Sequence, residues 1–245
     1  MFEPKIIHAI SGPRNISTAL MYSFAQRPNC VVIDEPFYAS FLKKTDLNHP
    51  GRQEILNCYP NSSVESIDRI HQFIRSSGNK EIYLKNMAQH MSGVSWEWAL
   101  NAIHIFWIRH PRKVIRSFSK VFPDLTLSDI GIVEQLKQWK RIQKFPGKKV
   151  IVDSDEMLSA PNKTFPIICD AVGLPFYKEM LVWPRGKKEY DGTWWPHWYS
   201  NVHNTCSFGE SSELGMPLKA KYLNVEIKSM PFYNELYKDR IIFKY

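Results

Sequence analysis

The sequence has no run of about 18 uncharged apolar residues, so no membrane-spanning helix is expected. Its start, Met1-Phe2-Glu3-Pro4-Lys5, carries an acid and no long apolar stretch behind it, unlike a secretory leader. The expected setting is the cytoplasm, with no membrane partner. Cysteine is sparse, with four residues at 30, 58, 169 and 206. No two stand close enough for a CxxC pair, and no Cys/His grouping has zinc-ligand spacing, so free thiols and no metal are expected. Cys30 and Cys169 lie in apolar runs, where a reduced cysteine packs as a small hydrophobe. The Walker A pattern GxxxxGK[ST] is absent, which argues against a kinase or nucleotide hydrolase of that type. No internal repeat, low-complexity tract or linker interrupts the chain.

What is present is 245 residues, 44% of them hydrophobic. That fraction is too high for a disordered chain, and the length suits one domain over residues 1–245. The patterning divides it into a core of about 5–175 and a C-terminal extension of about 176–245. The formal charge is +8. Residues 105–122 hold Arg109, Arg112, Lys113, Arg116 and Lys120 and no acid. Such a local excess favours an anionic ligand, although a solvated basic helix face would look the same. No RNA- or DNA-binding module motif accompanies it, so no nucleic-acid partner is expected.

Short apolar runs predict strands at 5–10, 30–34, 81–85, 104–108 and 150–153. Helical spacing predicts helices at 17–27, 63–77, 96–102, 111–122, 128–144 and 161–172, the last closed by Gly173. Ser17 or Thr18 is the expected cap of the first helix. Strands that read as continuous apolar runs and alternate with helices predict an α/β fold, with a mostly parallel sheet of about five strands covered on both faces. Ligands of such sheets bind beyond the carboxyl ends of the strands. Past residue 175 the periodicity fades into an irregular, aromatic-rich segment.

Three groups at those strand ends can carry chemistry. Ser11-Gly12-Pro13-Arg14-Asn15-Ile16-Ser17-Thr18 joins a strand to a helix N-terminus, where free N–H groups and the helix dipole favour an anion. An ordinary capped loop is the plain alternative. Arg109 closes the fourth strand, and Ser117 follows eight residues later, so the two can meet on one anion if the loop folds back. Glu35 ends the second strand, where partial desolvation can raise its basicity. A solvated loop carboxylate is the competing reading there. His90, a little past Lys85, is a second candidate base. Trp194-Trp195-Pro196-His197-Trp198-Tyr199 can line a pocket or pack the tail onto the core.

The ordered set resembles the PAPS-dependent sulfotransferases, which use 3′-phosphoadenosine 5′-phosphosulfate. Ser11–Thr18 is similar to their 5′-phosphosulfate loop, and Arg109 with Ser117 to their 3′-phosphate pair. Asp153-Ser154-Asp155-Glu156-Met157-Leu158 and the helix after Pro161 resemble their acidic-Leu segment. Arg185-Gly186-Lys187-Lys188, then Gly192-Thr193-Trp194, resembles their C-terminal basic glycine loop. The stretch ISGPRNISTALMYSFAQR is most like a small cytosolic branch with an SGPRNxST loop. The resemblance covers about residues 5–195.

It implies a three-layer, P-loop-like α/β fold. It also implies PAPS as co-substrate, no metal, and sulfuryl transfer to a hydroxyl or amine of a small-molecule acceptor. Nucleotide contacts would come from Ser11, Gly12, Pro13, Arg14, Asn15, Ile16, Ser17, Thr18, Arg109, Ser117, Arg185, Gly186 and Lys187. Glu35, Arg14, Lys85 and His90 would serve catalysis. Many members have lysine where this chain has Arg14, and Lys-x-His where it has Lys85-Asn86-Met87. Loss of that histidine leaves open a non-catalytic binder of 3′-phosphoadenosine nucleotides on the same fold.

Overall fold

The computed structural model describes residues 4–78, 81–211, 213–215 and 217–244. Met1–Glu3, part of the stretch unlike a leader, lie outside the described residues. Five strands form one sheet: β1 (Ile6–Ser11), β2 (Cys30–Asp34), β3 (Glu81–Met87), β4 (Ile103–Ile108) and β5 (Lys149–Asp153). Their spatial order is β2-β3-β1-β4-β5, and every pairing is parallel. Parallel pairing requires long crossovers, and the chain supplies them as helices.

Those helices are α1 (Ser17–Ala25), α2 (Tyr38–Thr45), α3 (Arg52–Cys58), α4 (Ser63–Ser76), α5 (Pro111–Phe118), α6 (Ile132–Ile142), α7 (Ser154–Ser159), α8 (Pro161–Val172), α9 (Trp195–Trp198), α10 (Ser200–His203) and α11 (Leu223–Lys238). Because side chains alternate along a strand, each strand feeds two cores. Ile10, Leu84, Phe106 and Ile151 point to one face, under α4, α5, α6 and α11. Ala9, Tyr83, Ile105, Trp107 and Val152 point to the other, under α1, α7 and α8. A third cluster joins α2 and α3 to Trp194 and Tyr199 of the C-terminal segment.

Several boundaries depart from the sequence-based expectation. Residues 96–102 form only one 3-10 turn, at Glu97–Ala99. The helix expected over 128–144 is a 3-10 turn at Ser128–Ile130 followed by α6, because Gly131 between them is left-handed (φ 72°). The stretch 36–62, where the sequence pattern predicts no element, contains α2 and α3. The C-terminal segment is less irregular than expected, since it ends in the 16-residue α11. Pro231 sits inside that helix and disguises it as a break.

The sheet order positions the site. From β1 the chain crosses to β2 on one side, and from β3 it crosses back past β1 to β4. The β1–α1 loop therefore lies at the point where the winding reverses, the usual ligand crevice of such a sheet. The ends of β2 and β3 flank it on one side, and those of β4 and β5 on the other.

Candidate active site

The β1–α1 loop is built from unusual backbone. Arg14 and Ile16 are both left-handed (φ 59° and 52°), a conformation costing a residue with a side chain about 1–2 kcal/mol. Gly12 is required by space: a Cβ there would lie 2.5 Å from the Ile130 carbonyl oxygen. The N-cap of α1 is Ile16, with no side-chain cap, rather than Ser17 or Thr18. Those two residues are instead the first of the helix, and both face a cavity of about 1350 Å³. The first-turn N–H groups of α1 have no intrahelical acceptor and no side-chain cap among the described residues. Asn15 works inward. Its Nδ2 donates to the Trp107 carbonyl at 2.5 Å, and its Oδ1 accepts from Ser154 Oγ at 2.6 Å, which ties the loop to β4 and α7.

Two arginines converge on this loop. Arg14 Nε donates to Ser117 Oγ at 3.0 Å, and Arg109 Nη1 donates to the Arg14 carbonyl at 3.0 Å. Arg109 and Ser117 thus meet through Arg14, and all three line the cavity. Burial, and then the nearby Arg109 charge, weaken the hold of Arg14 on its proton. Such a pair of cations is incompletely compensated and is improved by an anion. Arg109 is partly balanced from behind, where Asp155 Oδ1 lies 3.1 Å from its Nε and 3.2 Å from Lys113 Nζ.

On the β2–β3 side stands a buried polar cluster. Lys85 Nζ donates to Asp34 Oδ1 (2.9 Å), Glu35 Oε1 (2.5 Å) and the Tyr199 hydroxyl (2.6 Å), spending all three of its protons. The Tyr199 hydroxyl in turn donates to Asp34 Oδ2 at 2.7 Å, which also accepts from the Gly192 N–H. Burial pulls the Lys85 ammonium down, but Asp34 and Glu35 more than reverse this, so its pKa is raised. Glu35 is left-handed (φ 40°) and lines the cavity. Its Oε1 is held by Lys85, while among the described residues the polar partner near Oε2 is His90 Nδ1, at 3.5 Å. His90 is stacked on Tyr38, with ring centroids 4.5 Å apart. Burial, with His49 and Lys85, holds its pKa well below the ordinary histidine value, so the ring is neutral.

The cavity thus brings together Pro13, Arg14, Asn15, Ile16, Ser17, Thr18, Glu35, Lys85, His90, Arg109 and Ser117 of the residues expected from sequence. Others are placed elsewhere. Ser11 is buried at the end of β1, with its hydroxyl toward Met87 Sδ, and Gly12 packs under the loop. Arg185, Gly186 and Lys187 do not line the cavity. The Gly186 N–H donates to the His203 carbonyl, and the Lys187 ammonium lies over the Trp195 ring. Cavity residues that sequence reading missed include Tyr38, His49 and the segment Ser207–Glu210. Tyr38 follows the Glu35-Pro36 strand end, which was a usable signal. Ser207–Glu210 carries no cation and gave none. Among the described residues, no group of three or more His, Cys, Asp or Glu side chains is arranged to hold a metal ion.

Comparison with known proteins adds the family. Over 241 residues the chain is 34% identical to branched-chain-amino-acid aminotransferase-like protein 1 of Arabidopsis thaliana, covering 96% of this chain and 42% of that protein. It is 31% identical to the like-named protein 2 of the same plant, covering 95% and 41%. The chain therefore spans about two fifths of the length of these curated relatives. Among solved structures, the sulfotransferase domain of the Synechococcus PCC 7002 olefin synthase matches with a TM-score of 0.59 at 16% identity, covering 93% of this chain and 95% of that one. The sulfotransferase domain of the curacin biosynthetic pathway matches at 0.56 and 16%, covering 93% and 98%. A sulfotransferase from Alicyclobacillus acidocaldarius matches at 0.57 and 10%, covering 99% and 98%. These likenesses show a shared fold. A family model described as a sulfotransferase domain matches residues 5–240, nearly the whole chain, and with it the chain belongs to the sulfotransferase family.

Proposed function

We propose that this chain transfers a sulfuryl group from PAPS to a hydroxyl or amine of a small-molecule acceptor. One observation carries the reading. A single cavity holds an uncapped helix N-terminus with Arg14, Arg109 and Ser117 on one side of the β1 loop, and a carboxylate with an unspent oxygen on the other. The donor brings the sulfuryl group bound to a phosphate. In transfer, the acceptor oxygen or nitrogen forms the new bond to sulfur as the bond from sulfur to the phosphate oxygen breaks. Negative charge then grows on that oxygen, opposite the α1 N–H groups and Arg14. The acceptor's proton goes to Glu35 Oε2, while Lys85 fixes Oε1 and so orients the carboxylate. Arg14 supplies fixed charge rather than a proton, because a guanidinium does not ionise in the working range. The four cysteines are free, and burial pushes the Cys30 and Cys169 thiols up to about 12 and about 11. Cysteines without disulfide partners suit a reducing setting such as the cytoplasm.

The test is thermal unfolding with 3′-phosphoadenosine 5′-phosphate (PAP) beside AMP, ADP and ATP. A ligand bound only by the folded state, at a hundredfold excess over its Kd, adds about 2.7 kcal/mol of apparent stability. The expected result is a shift specific to PAP. An equal shift with ATP, or none, rejects the reading. A second reading, a non-catalytic PAP binder, draws on Met87 in the place of the family's histidine. The variant Glu35→Gln separates the two. It keeps the PAP shift under both readings but abolishes turnover of PAPS only if the chain is an enzyme.

A further inference from the structure

Residues 105–122 hold five cations, and of these only Arg109 lines the cavity. Two others are turned to the protein. Arg112 Nε donates to Glu226 Oε1 at 2.6 Å, and Arg116 Nη1 donates to the Glu213 carbonyl at 3.1 Å. Lys113 is 9% exposed, and an ammonium so buried needs a partner. It has two: Asp155 Oδ1 at 3.2 Å and Ser211 Oγ at 2.8 Å.

Asp155 Oδ1 is the point where this cluster meets the candidate site. It accepts from Arg109 Nε at 3.1 Å and from Ser211 Oγ at 2.7 Å, with Lys113 Nζ beside it. Neither Asp155 nor Lys113 lines the cavity, so neither touches a ligand held there. Their charges cancel, which leaves the charges of Arg14 and Arg109 to face the cavity. What the carboxylate adds is direction. With Nε on Asp155 and Nη1 on the Arg14 carbonyl, the planar guanidinium is held at two points, one on α7 and one on the β1–α1 loop. Ser154, the residue before Asp155, donates to Asn15 Oδ1 of the same loop at 2.6 Å. Two consecutive residues of α7 therefore set the loop and the arginine relative to each other.

We propose that Asp155, neutralised by Lys113, is the positioning residue that holds Arg109 at a fixed offset from the β1–α1 loop, and that this offset selects a nucleotide whose second phosphate is on the 3′ rather than the 2′ oxygen of the ribose. The proposal rests on the PAPS reading above. In that reading the loop takes the group on the 5′ oxygen and Arg109 takes the second phosphate, so the ribose spans a set distance between them. The 3′ and 2′ isomers carry the same base and the same charge, and differ in the direction of one phosphate. A guanidinium held at two points tells them apart, whereas a mobile one follows either. Charge by itself acts in the opposite sense: an acid close to a phosphate site repels it, so losing the acid would tighten both isomers.

Calorimetric titration with PAP and with its isomer adenosine 2′,5′-bisphosphate tests it. The unaltered protein is expected to favour PAP by about tenfold or more. A hydrogen bond to a charged group is worth about tenfold or more in binding, so Asp155→Ala should weaken PAP by that factor. The isomer should stay within about threefold, so that the preference disappears. Asp155→Asn, which keeps an oxygen for Arg109 Nε, should recover part of it. Asp155→Ala also leaves Lys113 without its anion and can fold poorly. The double variant Asp155→Ala with Lys113→Met removes both charges together and leaves the net charge unchanged. It should lose the preference in the same way, through position and not through charge. A preference retained in both Asp155→Ala and the double variant, an equal loss for the two isomers, or tighter PAP binding by Asp155→Ala overturns the proposal and leaves the PAPS reading standing. Equal binding of the two isomers by the unaltered protein overturns it as well. Failure of PAP to bind the unaltered protein removes both.

Discussion

At the scale of the residue, the β2–β3 side of the site is decided by how one buried ammonium is compensated. Lys85 is 1% exposed and touches two carboxylates and a phenol. Removing one member of a buried ion pair leaves a charge without its partner and costs about 3–5 kcal/mol. Lys85→Met is therefore expected to lower the urea-unfolding free energy by that amount; a loss below about 1 kcal/mol would contradict the network. Arg14 presents the opposite case. Its left-handed backbone and its closeness to Arg109 are unfavourable without an anion. Arg14→Gly is expected to hold Tm at or above the original value while the PAP shift disappears, and a Tm drop of more than a few degrees would refute that. Glu35 and Arg109 were legible because each stands at the end of an apolar strand, where ligands of parallel sheets bind, whereas Lys85, inside β3, came only from the family resemblance. Tyr199 stood out only as part of an aromatic run that can line a pocket; its bond to Lys85, across 114 residues of chain, has no local signal.

At the scale of the element, the strands were legible and several helices were not. A strand buried on both faces must be apolar throughout, and CVVID, HIFWI and KVIVD show this without context. By contrast, α11 carries a proline, mixes polar with apolar residues and is held by tertiary contacts. Arg112 and Arg116, part of the basic excess read as favouring an anion or else as a solvated face, reach Glu226 of α11 and the Glu213 carbonyl. Tyr233 of α11 donates to Asp153 Oδ2 at 2.8 Å. Asp153 ends β5 and caps α7 through the N–H groups of Asp155 and Glu156, so one carboxylate joins a strand and two helices. Loss of an N-cap costs about 0.5–2 kcal/mol. Asp153→Ala is expected to cost about 2 kcal/mol in chemical denaturation, because Tyr233 also loses its acceptor. Asp153→Asn, which keeps an oxygen at the cap, should cost less. Equal losses for the two variants would mean that the cap contributes nothing.

At the scale of the whole molecule, the candidate site at the carboxyl ends of the strands is matched by a pair of histidines buried within the sheet. His8 of β1 lies beside His104 of β4, with ring centroids 5.3 Å apart, among Trp96, Trp98 and Phe145. Among the described residues neither ring nitrogen of His8 has a hydrogen-bond partner, whereas His104 Nε2 lies 3.0 Å from the Ala99 carbonyl. Burial, with the neighbouring His104, holds His8 well below the ordinary histidine pKa; burial likewise lowers His104, to about 4. Both rings are therefore neutral in the folded protein. The unfolded chain takes up protons below about pH 6.5, while the folded one does not until far lower. The stability tied to these rings is complete above that pH and is lost as pH falls toward 4. For His104 alone, the difference between 6.5 and about 4 corresponds to about 3 kcal/mol. Tm of the protein without nucleotide is thus expected to be flat above pH 7 and to fall steeply from 6.5 to 4. His8→Leu removes an unpartnered polar group from the core, which should raise Tm at pH 7.5. It also removes one of the titrating rings, which should reduce the acid slope and leave the share of His104 and His90. A Tm that stays level from pH 7 to 5, or a His8→Leu variant less stable at pH 7.5, would show that this pair is not what limits the fold in acid.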